Sequence, residues 1–183
     1  IIRDKETGDI ISAAIQEDAF NSLFGEPTVE NPKGGFLYHL REKVKSGQLY
    51  VAPAIKVYDS TALNGKGVAG EIDLLVVDQE GNASIVDVKT GKKNKWNGFK
   101  TLSGPEASRS KSAMNKYEDY SMQQTSYSNL LFNMTGIDAD INILPIETSF
   151  EESDAELGKV LTAQDPGINK GGPWYSLKRT DSI

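Results

Sequence analysis

The chain has no cysteine and one histidine among its 183 residues. Without cysteine there are no disulfides, no thiolate metal sites and no iron–sulfur clusters, which suits an intracellular protein. No apolar run approaches the ~20 residues needed to cross a bilayer and no stretch reads as a signal peptide, so no membrane partner is expected. A helicase-type phosphate loop is also missing, because Gly65-Lys66 lacks the glycine spacing it requires. There is no internal repeat. The opening Ile1-Ile2-Arg3 has no methionine and reads as an excised domain or a processed product. With 26 acids against 20 bases the net charge is −6, which argues mildly against a nucleic-acid binder. The length suits one globular domain over 1–183 with a sizeable core.

The most informative stretch runs from Gly70 to Lys93. Two aliphatic runs flank a turn, the first interrupted by Asp73 and the second by Asp87 and Lys89. Asp78 suits the first position of a type I turn, and Gly81 can take the left-handed conformation that closes it, which predicts a three-residue hairpin loop of Gln79, Glu80 and Gly81. If Asp78 pairs with Asn82, Asp73 falls across from Asp87, and opposed residues share a sheet face. Lys89, two residues on, points the same way, while Val86 and Val88 turn to the other side. A one-residue slip would separate the carboxylates. Opposed like charges are destabilising unless a cation compensates, and hard oxygen ligands with water in the remaining positions suit Mg²⁺ or Mn²⁺. On these residues alone, a solvated edge hairpin with Lys89 bridging Asp87 stands equally open.

From Lys89 to Lys116 eight bases, Lys89, Lys92, Lys93, Lys95, Lys100, Arg109, Lys111 and Lys116, face only Glu106. Trp96 and Phe99 are interleaved with Gly, Ser and Asn. This composition predicts a long basic insertion over 91–115 that lies along a phosphate backbone and offers an aromatic face to a base, or else a solvated loop without a ligand.

Ahead of the hairpin, spacing predicts a helix over Ile11 to Phe24 and another with Phe36, Leu37, Leu40 and Val44 inward and Gly47 as its stop. His39 flanks that stripe, as a packed or surface residue or as a ligand. Leu49 to Tyr58 reads as a strand and Ser60 to Lys66 as a turn. Met114 to Met134 is the clearest helix, with Gln123, Tyr127, Leu130, Leu131 and Met134 on one face. Gln123 either finds polar partners there or reaches water at the rim. Ile141 to Ile146 predicts a further strand and Ser153 to Ala163 a short helix. The order is that of an α/β protein, with a core at about 35–150 and a tail over 151–183 that suggests no function.

Gly70-x-Ile-Asp73 followed by Asp87-Val-Lys89-Thr90 resembles the two metal-binding motifs of the PD-(D/E)xK nuclease superfamily. Gln123-x-x-x-Tyr127, preceded by Tyr117 and Tyr120, resembles the extra motif of its RecB-type exonuclease branch, and Gly35-x-x-x-His39 its histidine motif. The four occur in the family's order over about 35–146, and the absence of cysteine places the resemblance with the cluster-free type. The resemblance implies a restriction-endonuclease-like core, a mixed central β-sheet flanked by helices. It implies Mg²⁺ or Mn²⁺ held by Asp73, Asp87, the Val88 carbonyl and His39, with Lys89 acting on the attacking water and Gln123 and Tyr127 positioning. The implied activity is metal-dependent hydrolysis of DNA phosphodiester bonds. An exonuclease on ends or single strands in recombination, repair or phage DNA metabolism is favoured over an endonuclease or a non-catalytic binding domain. The expected setting is the cytoplasm of a bacterial or phage-infected cell, with any helicase or recombination partner on another chain. Glu71 shares the strand parity of Asp73, but the motif asks for no acid there.

Overall fold

The computed structural model describes residues 2–12, 17–30, 32, 34–35, 37–91, 111–147, 159–160, 175–177 and 179. The first ordered pair is β1 (Ile2–Arg3) with β2 (Ile10–Ser12), antiparallel. Helix α1 (Glu17–Phe24) follows, then a 3₁₀ turn (Tyr38–Leu40) that runs into the short α2 (Arg41–Lys45). Strand β3 (Leu49–Asp59), the single turn α3 (Ala62–Gly65), β4 (Val68–Asp78) and β5 (Ala83–Gly91) lead to α4 (Lys111–Thr135). Strand β6 (Ala139–Glu147) and the two-residue strands β7 (Lys159–Val160) and β8 (Tyr175–Ser176) complete the order.

The main sheet runs β3-β4-β5-β6, with β7 and β8 both pairing to β6. Its first three strands are antiparallel neighbours, whereas β5 and β6 are parallel, joined across the sheet by the segment containing α4. A parallel pair needs such a crossover, and a helix in it covers one sheet face. The protein is therefore mixed α/β, with a four-strand mixed sheet flanked by helices.

Each face has its own core. On one, Leu130, Leu131 and Met134 of α4 pack over Ala52, Ile55, Val57, Ile72, Leu75 and Ile85, with Ile2 and Ile11 added from β1 and β2. On the other, Phe24, Leu37 and Leu40 pack over Val51, Leu74, Val76, Val86 and Leu144. Strand alternation accounts for most of this assignment, and two places break it. Ile72 and Leu75 share a core although they are three apart, and so do Ala52 and Ile55. The β3–β4 ladder pairs Pro53 with Leu74 and Ile55 with Ile72 but omits Ala54 opposite Asp73. Ala54 there takes φ +52. Both strands thus flip parity at one level, at Ala54 on β3 and Asp73 on β4, and register is regained beyond it.

Several expected elements shift. The N-terminal helix does not begin at Ile11, because the β-branched Ile10-Ile11 pair forms β2; among the described residues the helix spans Glu17–Phe24. The second helix is shorter, a 3₁₀ turn and five α-helical residues, stopped as expected at Gly47, where φ is +74. Of the proposed short helix over Ser153 to Ala163, Lys159–Val160 are a strand paired with Ile146 and Glu147, and the remainder lies outside the described residues. The strands at Leu49 and Ile141 and the long helix occur slightly longer than read.

Candidate active site

The reversal between β4 and β5 fixes the register. The Gly81 amide donates to the Asp78 carbonyl at 3.1 Å, and Gly81 takes φ +87. The Asp78 amide donates to the Asn82 carbonyl at 3.1 Å, and the Asp78 carboxylate accepts from the Asn82 backbone and side-chain amides, both at 2.8 Å. Those bonds hold the Asp78 carboxyl below its ordinary pKa, led by the side-chain amide of Asn82. This is the expected loop with a left-handed glycine, and rungs climb from Val77–Ala83 to Leu74–Val86.

The next rung would join Asp73 to Asp87, and there the ladder stops. The Val88 amide donates to Asp73 Oδ2 at 2.8 Å instead. The parity flip of β4 at Asp73 takes its backbone out of the ladder, and its carboxylate satisfies an amide of the neighbouring strand. The two acids therefore come together without the expected rung: a carboxylate reaches across a fork between two strands.

Asp87 and Lys89 follow Ile85 at strand spacing and project toward α4. Asp87 is 6% exposed. Its Oδ2 is buried and lies 2.8 Å from Lys89 Nζ, an ion pair, with no directed hydrogen bond among the described residues. Burial pushes its pKa up to about 6; the Lys89 ammonium pulls it down, and the charge and carboxyl of Asp73 push it up further. Burial works to lower the Lys89 pKa, yet it is raised on balance by the carboxylates of Asp87 and Asp73.

Helix α4 completes the cluster. Lys89 Nζ donates to Gln123 Oε1 at 3.4 Å, and Gln123 Nε2 donates to the Tyr127 hydroxyl at 3.4 Å, the one-turn spacing that stacks residues i and i+4. The Tyr127 ring packs against β4 at Gly70, which has no side chain; a Cβ there would fall 2.3 Å from Tyr127 Cε1. Gly70 thus serves by absence, admitting the ring beside the strand that carries Asp73.

Gln123 is exposed at the helix rim, and its neighbour Gln124 occupies the inward position at 1% exposure. Among the described residues, neither polar atom of Gln124, nor the hydroxyl oxygen of Ser121, has a hydrogen-bond partner. His39 lies in the exposed 3₁₀ turn between Leu37 and Leu40, which pack on the face opposite α4. Desolvation by the packed atoms around it, and then Lys43, lower its pKa. Among the described residues no hydrogen bond or ion pair joins His39 to Asp73 or Asp87, and no three His, Asp or Glu side chains gather at metal-ligand distance. Lys92, Lys93, Lys95, Trp96, Lys100 and Arg109 lie outside the described residues; Lys111 and Lys116 are in the first turns of α4, and their side chains are not described.

No family model, curated protein or solved structure matches this chain.

Two residues outside the expected site belong beside it. Tyr120 places its ring face 5.1 Å from the Lys89 ammonium. Its signal was its spacing, one turn before Gln123 on the same helix face. In the sequence Gly70 is only a motif letter, and no sequence feature marks the collision that its missing side chain avoids. Among the described residues, no helix is long and apolar enough to cross a membrane.

Proposed function

We propose that the chain is a metal-dependent DNA nuclease with a restriction-endonuclease-like core, of the RecB-type exonuclease branch that its motifs resemble. One observation carries the reading. Two carboxylates from adjacent strands meet at a ladder fork beside a lysine that an amide and a tyrosine from the crossover helix hold in place. A structural ion pair needs neither the second acid nor the Gln123–Tyr127 support.

The donor set fits a small divalent cation. The buried Asp87 oxygen without a directed donor and the acid–acid repulsion are both relieved by positive charge. Asp73, Asp87 and the Val88 carbonyl would hold it, with water completing the shell. His39 shares no hydrogen bond or ion pair with either acid, so a nitrogen ligand from it is the least supported part of the reading. A bound Mg²⁺ or Mn²⁺ supplies Lewis acidity toward a phosphate and lowers the pKa of water. Lys89, charged at neutral pH, orients a water by hydrogen bonding and offsets negative charge on the reacting phosphate. Gln123 and Tyr127 restrict its rotamers, which is a positioning role. The basic residues over 92–116 are proposed to track the DNA backbone.

End-labelled linear DNA and circular single-stranded DNA, incubated with Mn²⁺ or with chelator, test the reading. Metal-dependent loss of the linear substrate with the circle intact is the expected result. Cutting of the circle would make the enzyme an endonuclease. Binding without turnover in Mg²⁺ and in Mn²⁺ would make it a non-catalytic domain, and cleavage by Asp87→Ala at the wild-type rate would remove the assigned roles.

A further inference from the structure

We propose that Tyr120 is a positioning residue that lays its ring face over the Lys89 ammonium and keeps it aimed at the acid pair. This rests on the reading of Lys89 as the amine of a phosphodiester-cleaving site. Lys89 Nζ lies 5.1 Å from the ring centroid, inside the ~6 Å reach of a cation–π attraction. The lysine needs such a restraint, because its side chain is 25% exposed and its flexible stem can swing the charge into water. Its other contacts are uneven: Asp87 Oδ2 is close at 2.8 Å, whereas Gln123 Oε1 is distant at 3.4 Å. The carboxylate comes from the lysine's own strand, so on its own it would let the pair move together. Tyr120 and Gln123 are one turn apart on α4 and bind the ammonium to a second element. Tyr120 is half-buried, which limits the orientations of its ring. A ring face attracts the charge without occupying a directed N–H donor, so the ammonium is restrained while its hydrogen-bonding capacity is kept for substrate.

Two measurements on the full chain decide the proposal. By NMR, the Lys89 ε-methylene protons are expected upfield of their random-coil position in the wild type and in Tyr120→Phe, and near random coil in Tyr120→Leu. Random-coil shifts in the wild type overturn the contact whether or not the protein cuts DNA. Kinetically, with end-labelled linear DNA and Mn²⁺, Tyr120→Leu is expected to lower kcat by about tenfold with KM held within about twofold, and Tyr120→Phe to restore it. In a Lys89→Gln background, Tyr120→Leu is expected to change kcat by less than about twofold, because the group it acts through is gone. An unchanged kcat for Tyr120→Leu, or an equal loss in both backgrounds, refutes the role. A wild type that shows the upfield shift but no cleavage refutes the nuclease reading and leaves the Tyr120 restraint standing.

Discussion

Replacing Asp87 by asparagine should stabilise the metal-free protein at neutral pH while abolishing cleavage. The carboxyl is 6% exposed and titrates at about 6 instead of 3.8, chiefly through burial. Holding it ionised in the folded state therefore costs about 3 kcal/mol relative to the unfolded chain, an upper figure since asparagine must satisfy its own amide. The sign follows from proton counting. Between pH 3.8 and about 6 the folded protein keeps a proton that the unfolded chain releases, so wild-type stability falls as pH rises through that window and levels off above it. Asparagine is neutral throughout and escapes the fall. Urea denaturation followed by circular dichroism, with chelator present, should show wild type and variant nearly equal at about pH 4 and the variant ahead by about 2–3 kcal/mol above about pH 7. A difference that does not vary with pH, or a variant less stable at about pH 8, would refute the claim that burial dominates the environment of Asp87.

Lys89→Ala removes the ion-pair partner of the buried carboxylate, so stability at neutral pH should fall by about 2–3 kcal/mol and cleavage by about a hundredfold or more, read from the same melts and DNA assay. Gly70→Ala pushes a methyl group into the Tyr127 ring, so it should cost about 1–3 kcal/mol and most of the activity; in a double-mutant cycle, adding Tyr127→Ala should recover stability but not cleavage. Gly81→Ala meets nothing in space, so it should cost only the backbone term of about 1 kcal/mol and leave kcat intact.

The central reversal was legible because its chemistry is local. Asp78, Gly81 and Asn82 specify the loop among themselves, and the register follows by alternation. What alternation could not show was its own failure at Asp73. Ile72-Asp73-Leu74 reads as an ordinary strand segment, and the flip depends on a left-handed Ala54 on another strand. The site was legible for the residues carrying charge, Asp73, Asp87 and Lys89. It was less so for α4, where Gln123 and Gln124 are adjacent and both chemically suited, and packing onto the sheet turned Gln124 inward. The N-terminal misreading has a similar cause: Ile11 fits the helical spacing of the residues after it, yet its burial is decided by pairing with β1.

In the proposed metal site, the bond from the Val88 amide to Asp73 Oδ2 would bear on ion choice. With Oδ2 engaged by a backbone amide, this acid would offer an ion chiefly its other oxygen and is poorly placed to chelate through both. Calcium, whose roomy shell welcomes such two-toothed carboxylates, would gain little here, whereas a compact six-coordinate ion asks each carboxylate for only one oxygen. The discrimination would come from an unpaired rung in a sheet, well before any substrate arrives.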